Sequence, residues 1–180
     1  MNFARVCAED IETLSKAADH GDPEATYKLG EIYQDRKLFS EAAQRFQRAA
    51  AAGNRKAQLG LGRLHAEKKI TDANENDALK WLLLAAEELP EAIPEATKVQ
   101  KALTTADVAK AHFALYEFYT SGIYYPRKAQ PRALAWLHKS AEGGYAKAQG
   151  VLGRAYAIGH KELPKDDDRA LIWTRKASSD

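Results

Sequence analysis

The sequence predicts an all-α fold in which antiparallel helix pairs stack into a right-handed α–α superhelix, a solenoid. Three observations carry this. Small and apolar residues recur four, five and eight positions apart, the spacing of one helix face rather than the alternation of a strand. Breaks containing Gly, Pro, Asn or Asp cut the chain into helix-length pieces. The pieces also return at fixed distances. Ala57, Leu61, Gly62 and His65 follow Ala25, Leu29, Gly30 and Tyr33 by 32 positions, and Ala148 and Trp173 follow Ala111 and Trp136 by 37. Periods of this length mark stacked two-helix units, none of which can bury its stripe alone.

The elements follow in order. A helix near Cys7–Ala18 places Ile11, Leu14, Ala17 and Ala18 on one face and stops at Gly21; it reads as an N-terminal cap. Asp22 suits the N-cap of the next helix and Pro23 its first turn. Its stripe is Ala25, Leu29, Gly30 and Tyr33. After a short loop, Asp35–Lys37, the partner helix carries Ala42, Phe46, Ala49 and Ala50 and stops at Gly53.

Unit two repeats the pattern with a longer loop, Lys68–Asn76, and then Ala78, Trp81, Ala85 and Ala86. Glu87–Thr105 breaks the period, although Ala92, Ile93, Ala96, Val99, Gln100 and Leu103 suit a short helix. Unit three has Ala111, Leu115 and Tyr119, a loop over Ile123–Gln130, and then Pro131, Ala133, Trp136, Ser140, Ala141 and Gly144. Unit four has Ala148, Leu152, Tyr156 and Gly159, then Asp166–Asp168 at the start of a last helix with Ala170, Trp173 and Ala177. The expected organisation is one repeat domain over 1–180: cap 1–20, repeats 21–52 and 53–88, insertion 89–106, and repeats 107–143 and 144–180.

Composition narrows the function classes. The 180 residues are 29% charged and 45% hydrophobic, a soluble balance with room for a core. With 27 basic and 25 acidic residues the net charge is +2, which argues against strong non-specific attraction to nucleic acid or anionic lipid. No apolar run approaches the ~18 residues of a membrane span. Cys7 is the only cysteine, so no internal disulfide can form. The opening residues lack the apolar stretch of a signal peptide. The expected location is the cytoplasm, or the periplasm for a chain trimmed of its leader.

The first helices read A-x-x-x-L-G-x-x-Y in Ala25–Tyr33 and Ala148–Tyr156. The second read A-x-x-W-x-x-x-A/S-A in Ala78–Ala86 and Ala133–Ala141. This pattern resembles the Sel-like repeats, relatives of the tetratricopeptide repeats, over about Ala17–Ser178 apart from the insertion. The chain departs from it at His65 for tyrosine, Tyr116 for glycine and Arg45 for tryptophan, and the usual second glycine of the loop is missing throughout. Glycines at 30, 62 and 153 stand mid-helix, where each costs ~1 kcal/mol against alanine, so close approach of a second backbone is expected there. The tryptophans and tyrosines are expected as bulky knobs between units, a buried Trp173 among them.

No catalytic constellation stands out. His20, His65, His112, His138 and His160 show no helical metal spacing, no cysteine ligand lies near one, and Cys7 has no activating neighbour. Asp166–Asp168 read as helix-capping acids, and Glu87, Glu88 and Glu91 as a solvated face. No metal and no cofactor is expected. Tyr124 and Tyr125, beside Pro126, read either as cover for an apolar edge or as a loop anchor for a partner.

The resemblance implies a non-enzymatic scaffold or adaptor, bacterial, that binds a protein or peptide in a concave groove. An immunity or inhibitor protein that occludes a toxin or effector is the alternative, and a hydrolase acting on cell-wall or β-lactam substrates a remote one. In similar repeats the groove is lined by the positions two, six and nine after the first-helix alanine. Here these are Tyr27, Glu31 and Gln34, then Arg63, then Phe113, Glu117 and Thr120, then Arg154. Two readings stay open. The alternating charges pair between adjacent units, or they fix the register of a peptide anchored at Tyr27 and Phe113. Ile172 is more apolar than Lys80 and Ala135 at the matching positions, so the last helix is expected to contact either a second copy, in a weak self-association, or a continuing segment of a longer chain.

Overall fold

The computed structural model describes residues 3–121, 130–159 and 162–179, with side-chain environments from Ile11 onward and not for Gln130. Ten helices are described: α1 (Phe3–Asp19), α2 (Pro23–Asp35), α3 (Phe39–Ala51), α4 (Arg55–Ala66), α5 (Glu75–Ala86), α6 (Ala92–Ala102), α7 (Thr105–Thr120), α8 (Gln130–Glu142), α9 (Ala146–Ile158) and α10 (Asp167–Ala177). No β-sheet occurs among the described residues. The fold is all-α, of the helical-repeat class. The contacts group into two compact units, from here on unit one (Met1–Val99) and unit two (Gln100–Asp180), as distinct from the single repeats numbered above. In the first, α2 pairs with α3 and α4 with α5, and α1 covers α2. In the second, α7 pairs with α8 and α9 with α10.

Local chemistry sets the helix ends. The Asp22 carboxylate accepts the N–H groups of Glu24 and Ala25 at 2.8 and 3.3 Å, with Pro23 at the first position of α2. Asn54, Asn74, Thr104 and Asp166 each accept the N–H three residues on, opening α4, α5, α7 and α10. Gly53 ends α3 at φ 91°, a left-handed backbone open to glycine, and lets Asn54 N–H reach Ala49 O at 3.0 Å. Asn54 is also the N-cap of α4, so two residues turn the chain from one pair into the next. Within pairs the left-handed position falls on Lys37 and Lys68, at φ 61° and 53°. These are the loops that lack the family's second glycine, and lysine there carries a cost of about 1–2 kcal/mol.

In unit one the pairs meet at their mid-helix glycines. A Cβ on Gly62 would lie 2.8 Å from Leu82 Cγ and 3.2 Å from the Leu82 backbone nitrogen. A Cβ on Gly30 would strike the Phe46 ring, which is 2% exposed. The expected backbone approach is therefore present at Gly62, whereas Gly30 makes room for an aromatic ring. Successive pairs are tied by a side chain that the sequence reading overlooked. Gln58, fully buried, donates from Nε2 to Ala50 O at 3.1 Å, satisfying a carbonyl at the end of α3. Arg55 then fastens α4 to the end of α5, donating to Leu84 O at 3.0 Å and to Glu88 at 2.9 Å. His65, in the tyrosine position, accepts the Asn74 N–H on its Nδ1 at 3.3 Å and so anchors the long loop. Burial pushes this histidine below its ordinary value. The period-breaking stretch holds the 11-residue α6, which buries Ala92 and Ala96.

Unit two repeats these devices. Gln149 Nε2 donates to Ala141 O at 3.2 Å, and Ser140 Oγ donates to Ala109 O at 2.6 Å. A Cβ on Gly153 would lie 3.2 Å from Thr174 N and 3.3 Å from Ala170 O, again a backbone approach. Phe113, Leu137, Leu152 and Tyr156 form the core. The tryptophans differ from expectation. Trp81 is buried, but Trp136 and Trp173 are half-buried, with Lys139 and Lys176 ammonium groups 4.3 and 4.4 Å from the ring centroids. Trp173 therefore packs against the core with one side only and is not enclosed, because nothing described packs on the far side of α10. His112 stacks 5.2 Å from Trp136, and its buried Nδ1 has no hydrogen-bond partner among the described residues. Burial, helped by Lys139, pushes it down to about 4.

Two consequences are measurable. Gly62→Ala should destabilise unit one by about 1–3 kcal/mol through overpacking, despite its helix propensity. Gly150→Ala should stabilise unit two by about 0.5–1 kcal/mol, because its Cβ would meet nothing nearer than 3.9 Å. Urea unfolding of both variants checks the opposite signs.

The second concerns acid. His112 is neutral in the fold down to about 4 but takes up a proton near 6.5 when unfolded. Unit two therefore keeps its full stability above 6.5 and loses it as pH falls from 6.5 towards 4. Full shielding would make this about 3 kcal/mol, and the partial exposure of the ring reduces it to about 1–2 kcal/mol. Hydrogen exchange of α7 and α8 at pH 7 and pH 4.5 should show the loss, and His112→Gln should remove it.

Candidate functional site

The spacing of Tyr27, Glu31 and Gln34 puts all three on one face of α2, and the structure gathers them with Arg63 of α4 around a hollow of about 260 Å³. Lys56, Leu59, Gly60 and Glu91 complete its wall, and Phe46 lies beneath. The Tyr27 ring stacks on Phe46 at 5.8 Å, and its hydroxyl donates to Glu31 Oε1 at 2.5 Å. Burial and the Glu31 carboxylate push this phenol well above its ordinary value, so it stays a neutral donor. A second hollow, open and about 740 Å³, is lined by Thr13 and Leu14 of α1 and by Lys28, Glu31, Ile32, Gln34 and Asp35 of α2. Glu31 and Gln34 belong to both, so they form the ridge between two adjoining depressions.

Arg63 is already engaged. Its Nε lies 3.0 Å from both carboxylate oxygens of Glu95 on α6, and Nη2 is 2.5 Å from one of them. This bond raises the guanidinium above its usual value, with Glu67 and Glu91 adding to the effect. The hollow thus holds one carboxylate more than its cations balance: once Arg63 and Glu95 have neutralised each other, Glu31 and Glu91 face the single ammonium of Lys56. Lys56 sits 6.0 Å from the Tyr27 ring centroid, at the edge of cation–π range.

The other four positions lie in unit two and do not form a comparable site. Phe113 is 4% exposed and sits in the core, with Tyr116 and Tyr145 rings 5.4 and 5.3 Å away and Lys147 over its face. As an exposed anchor it is corrected: the position two after Ala111 faces inward because Tyr145 and Lys147 close over it. Glu117 pairs with Lys147 at 2.9 Å. Thr120 Oγ1 donates to Tyr116 O at 2.9 Å, and Arg154 is exposed. The alternating charges therefore do not pair with one another. Arg63 and Glu117 are neutralised within the chain, but by Glu95 and Lys147, which the spacing did not indicate.

Thr120 instead edges an apolar hollow of about 270 Å³ with Tyr116, Ala133, Leu134, Ala155, Ile158, Gly159 and Leu163. The sequence carried a signal for it in Tyr116, which replaces the small residue that lets the other pairs close. Tyr124 and Tyr125 lie outside the described residues. Asp166 is the cap of α10, and Asp167 and Asp168 fill its first turn, as expected. Among the described residues no group of three His, Cys, Asp or Glu could hold a metal ion, and no helix is long and apolar enough to cross a membrane.

No curated protein matches the sequence significantly. Among solved structures, the chain is similar to a Sel1 repeat protein from Oxalobacter formigenes, at 27% identity over 94% of this chain and 63% of that one, with a TM-score of 0.43. It is similar to c5321, a protective antigen of uropathogenic Escherichia coli displaying an SLR fold, at 25% identity over 93% and 32%, TM-score 0.41. MamA aligns at 22% identity over 99% and 94%, TM-score 0.37. The chain thus spans less than two thirds of the length of the first two. The model of the Sel1 repeat matches four times, over residues 23–54, 55–88, 109–145 and 146–180, and leaves the α6 stretch outside. With most of its residues inside those four matches, the chain belongs to the Sel1 repeat family.

Proposed function

We propose that this protein is a non-enzymatic protein-interaction module that holds a segment of a partner protein on the α2–α4 face of unit one. Sel1 repeats commonly serve as protein-interaction modules. The observation that carries the reading is the pair of adjoining depressions divided by Glu31 and Gln34. They offer a binding segment the face of the Tyr27 ring, whose hydroxyl is held by Glu31, an amide at Gln34 and carboxylates at Glu31 and Glu91. The surplus of carboxylate favours a segment carrying lysine or arginine, although the whole chain has a net charge of +2. Arg63 and Glu95 shape the wall of the site, and Tyr27 supplies its aromatic surface.

The test is a peptide array of lysine- and arginine-rich segments, probed with the wild-type chain and three variants. Glu31→Lys and Gln34→Ala should each weaken capture about tenfold or more while the melting temperature stays near wild type, because both side chains stand at the surface. Arg63→Glu should in addition lower stability by about 1 kcal/mol, since it sets a third charge against Glu95 and Glu91; Glu95→Arg in the same chain should restore it. Capture that ignores Glu31→Lys and Gln34→Ala, or that is lost only on changing Tyr124 and Tyr125, overturns this placement of the site.

A further inference from the structure

We infer that the outer face of α10 docks a second copy of this chain, with the two α10 helices antiparallel across a two-fold axis. Ala170 and Trp173 of α10 pack into the unit-two core, and Ala177 approaches Gly150 of α9. On the opposite side the spacing i, i+3, i+4, i+7 gathers Asp168, Leu171, Ile172 and Arg175 into one stripe. All four are exposed, and Leu171 and Ile172 are each 52% accessible. The leucine one position after the second-helix alanine is covered elsewhere in the fold: Leu79 in α5 is fully buried and Leu134 in α8 packs against the core. In α10 the same position is bare.

The order of residues along the stripe selects the occupant. An axis between Leu171 and Ile172 sets Leu171 against the partner's Ile172, and Asp168 against the partner's Arg175; symmetry makes each contact twice. Parallel helices would instead oppose aspartate to aspartate and arginine to arginine. The two charges are available for this. The ion pairs of the stretch join Lys165 to Asp167 and Arg169 to Asp166, and Asp168 and Arg175 enter none among the described residues. Acid at the start and base at the end is ordinary for a helix. An exposed leucine and isoleucine centred between them is not explained by the helix dipole. A stripe on 11 residues, about 16 Å long, is small beside a standard interface, so the dimer is weak and forms at high concentration.

The experiment is sedimentation equilibrium of the full chain from about 10 µM to about 1 mM, with circular dichroism melting of every variant. Wild type should shift from monomer to dimer across the range. Asp168→Arg and Arg175→Asp should each weaken the dimer about tenfold or more, because like charges then meet twice. The double swap should bring affinity back to within about threefold of wild type. Leu171→Ser should abolish the dimer and leave the melting temperature unchanged. A chain that stays monomeric at the highest concentration overturns the inference. So does a dimer that survives Leu171→Ser, or a folded double swap that fails to recover, as either would mean that another face or another occupant is involved.

Discussion

The contact on which both units depend is the near-touching of paired helices where a side chain is absent. At Gly62 and Gly153 the facing backbone lies where a Cβ would have to go, and at Gly30 an aromatic ring takes that space. Helices this close share a narrow seam, so alanines suffice as their buried neighbours: Ala42, Ala57, Ala78, Ala111 and Ala148 are wholly or almost wholly inaccessible. Phe46 fills the space left at Gly30 inside its pair, whereas the tryptophans of α8 and α10 stand at the edge towards solvent. The half-exposed Trp136 and Trp173, each under a lysine ammonium, follow from this geometry. Tyr116 is the exception that shows the rule, since a side chain of that size at the glycine position is accompanied by the apolar hollow beside Leu134 and Ala155.

The charges nearest the candidate site and the helix joints are paired within the chain. Arg55 faces Glu87 and Glu88, Arg63 takes Glu95 and Lys147 takes Glu117. Pairs of this kind, partly open to water, each contribute only ~0–1 kcal/mol and are better regarded as orienting surfaces than as holding the fold. Their effect on function lies in what they leave over. In the unit-one hollow the arginine is cancelled by Glu95, and the local sign is set by the remaining carboxylates. A count of charged positions along α2 and α4 gives alternation, whereas the three-dimensional site is acidic.

Helix identity, caps and the repeat period were legible in the sequence because they depend on neighbours within a few residues. Asp22–Pro23 and Asp166 are examples. Glycine at 62 and 153 signalled close approach correctly, since only contact makes glycine tolerable mid-helix. The site was half legible. Tyr27, Glu31 and Gln34 lie on one helix and their face follows from spacing alone. Arg63's partner could not be read, because Glu95 stands in the period-breaking stretch whose course no repeat rule fixes. Phe113 was misplaced because a groove position is defined by what lies across it, and Tyr145 and Lys147 come from the following repeat. Gln58 escaped notice for a related reason: an amide in a helix pattern looks exposed until the carbonyl that it satisfies is known.

The two-residue turn at Gly53–Asn54 bears on how such an array can change length. One residue closes a helix and the next opens the following one, so no slack exists at that joint, whereas the loops inside pairs differ freely, from Asp35–Lys37 to the stretch after Lys68. Growth within a pair is therefore cheap, and growth between pairs must either copy the joint or abandon it. After α5 the chain has abandoned it. Leu89 stands where Gly53 stands one repeat earlier, the left-handed exit is lost, and α6 follows in place of a new pair. The exchange of one glycine for a leucine thus marks the point at which the regular joint between pairs is given up.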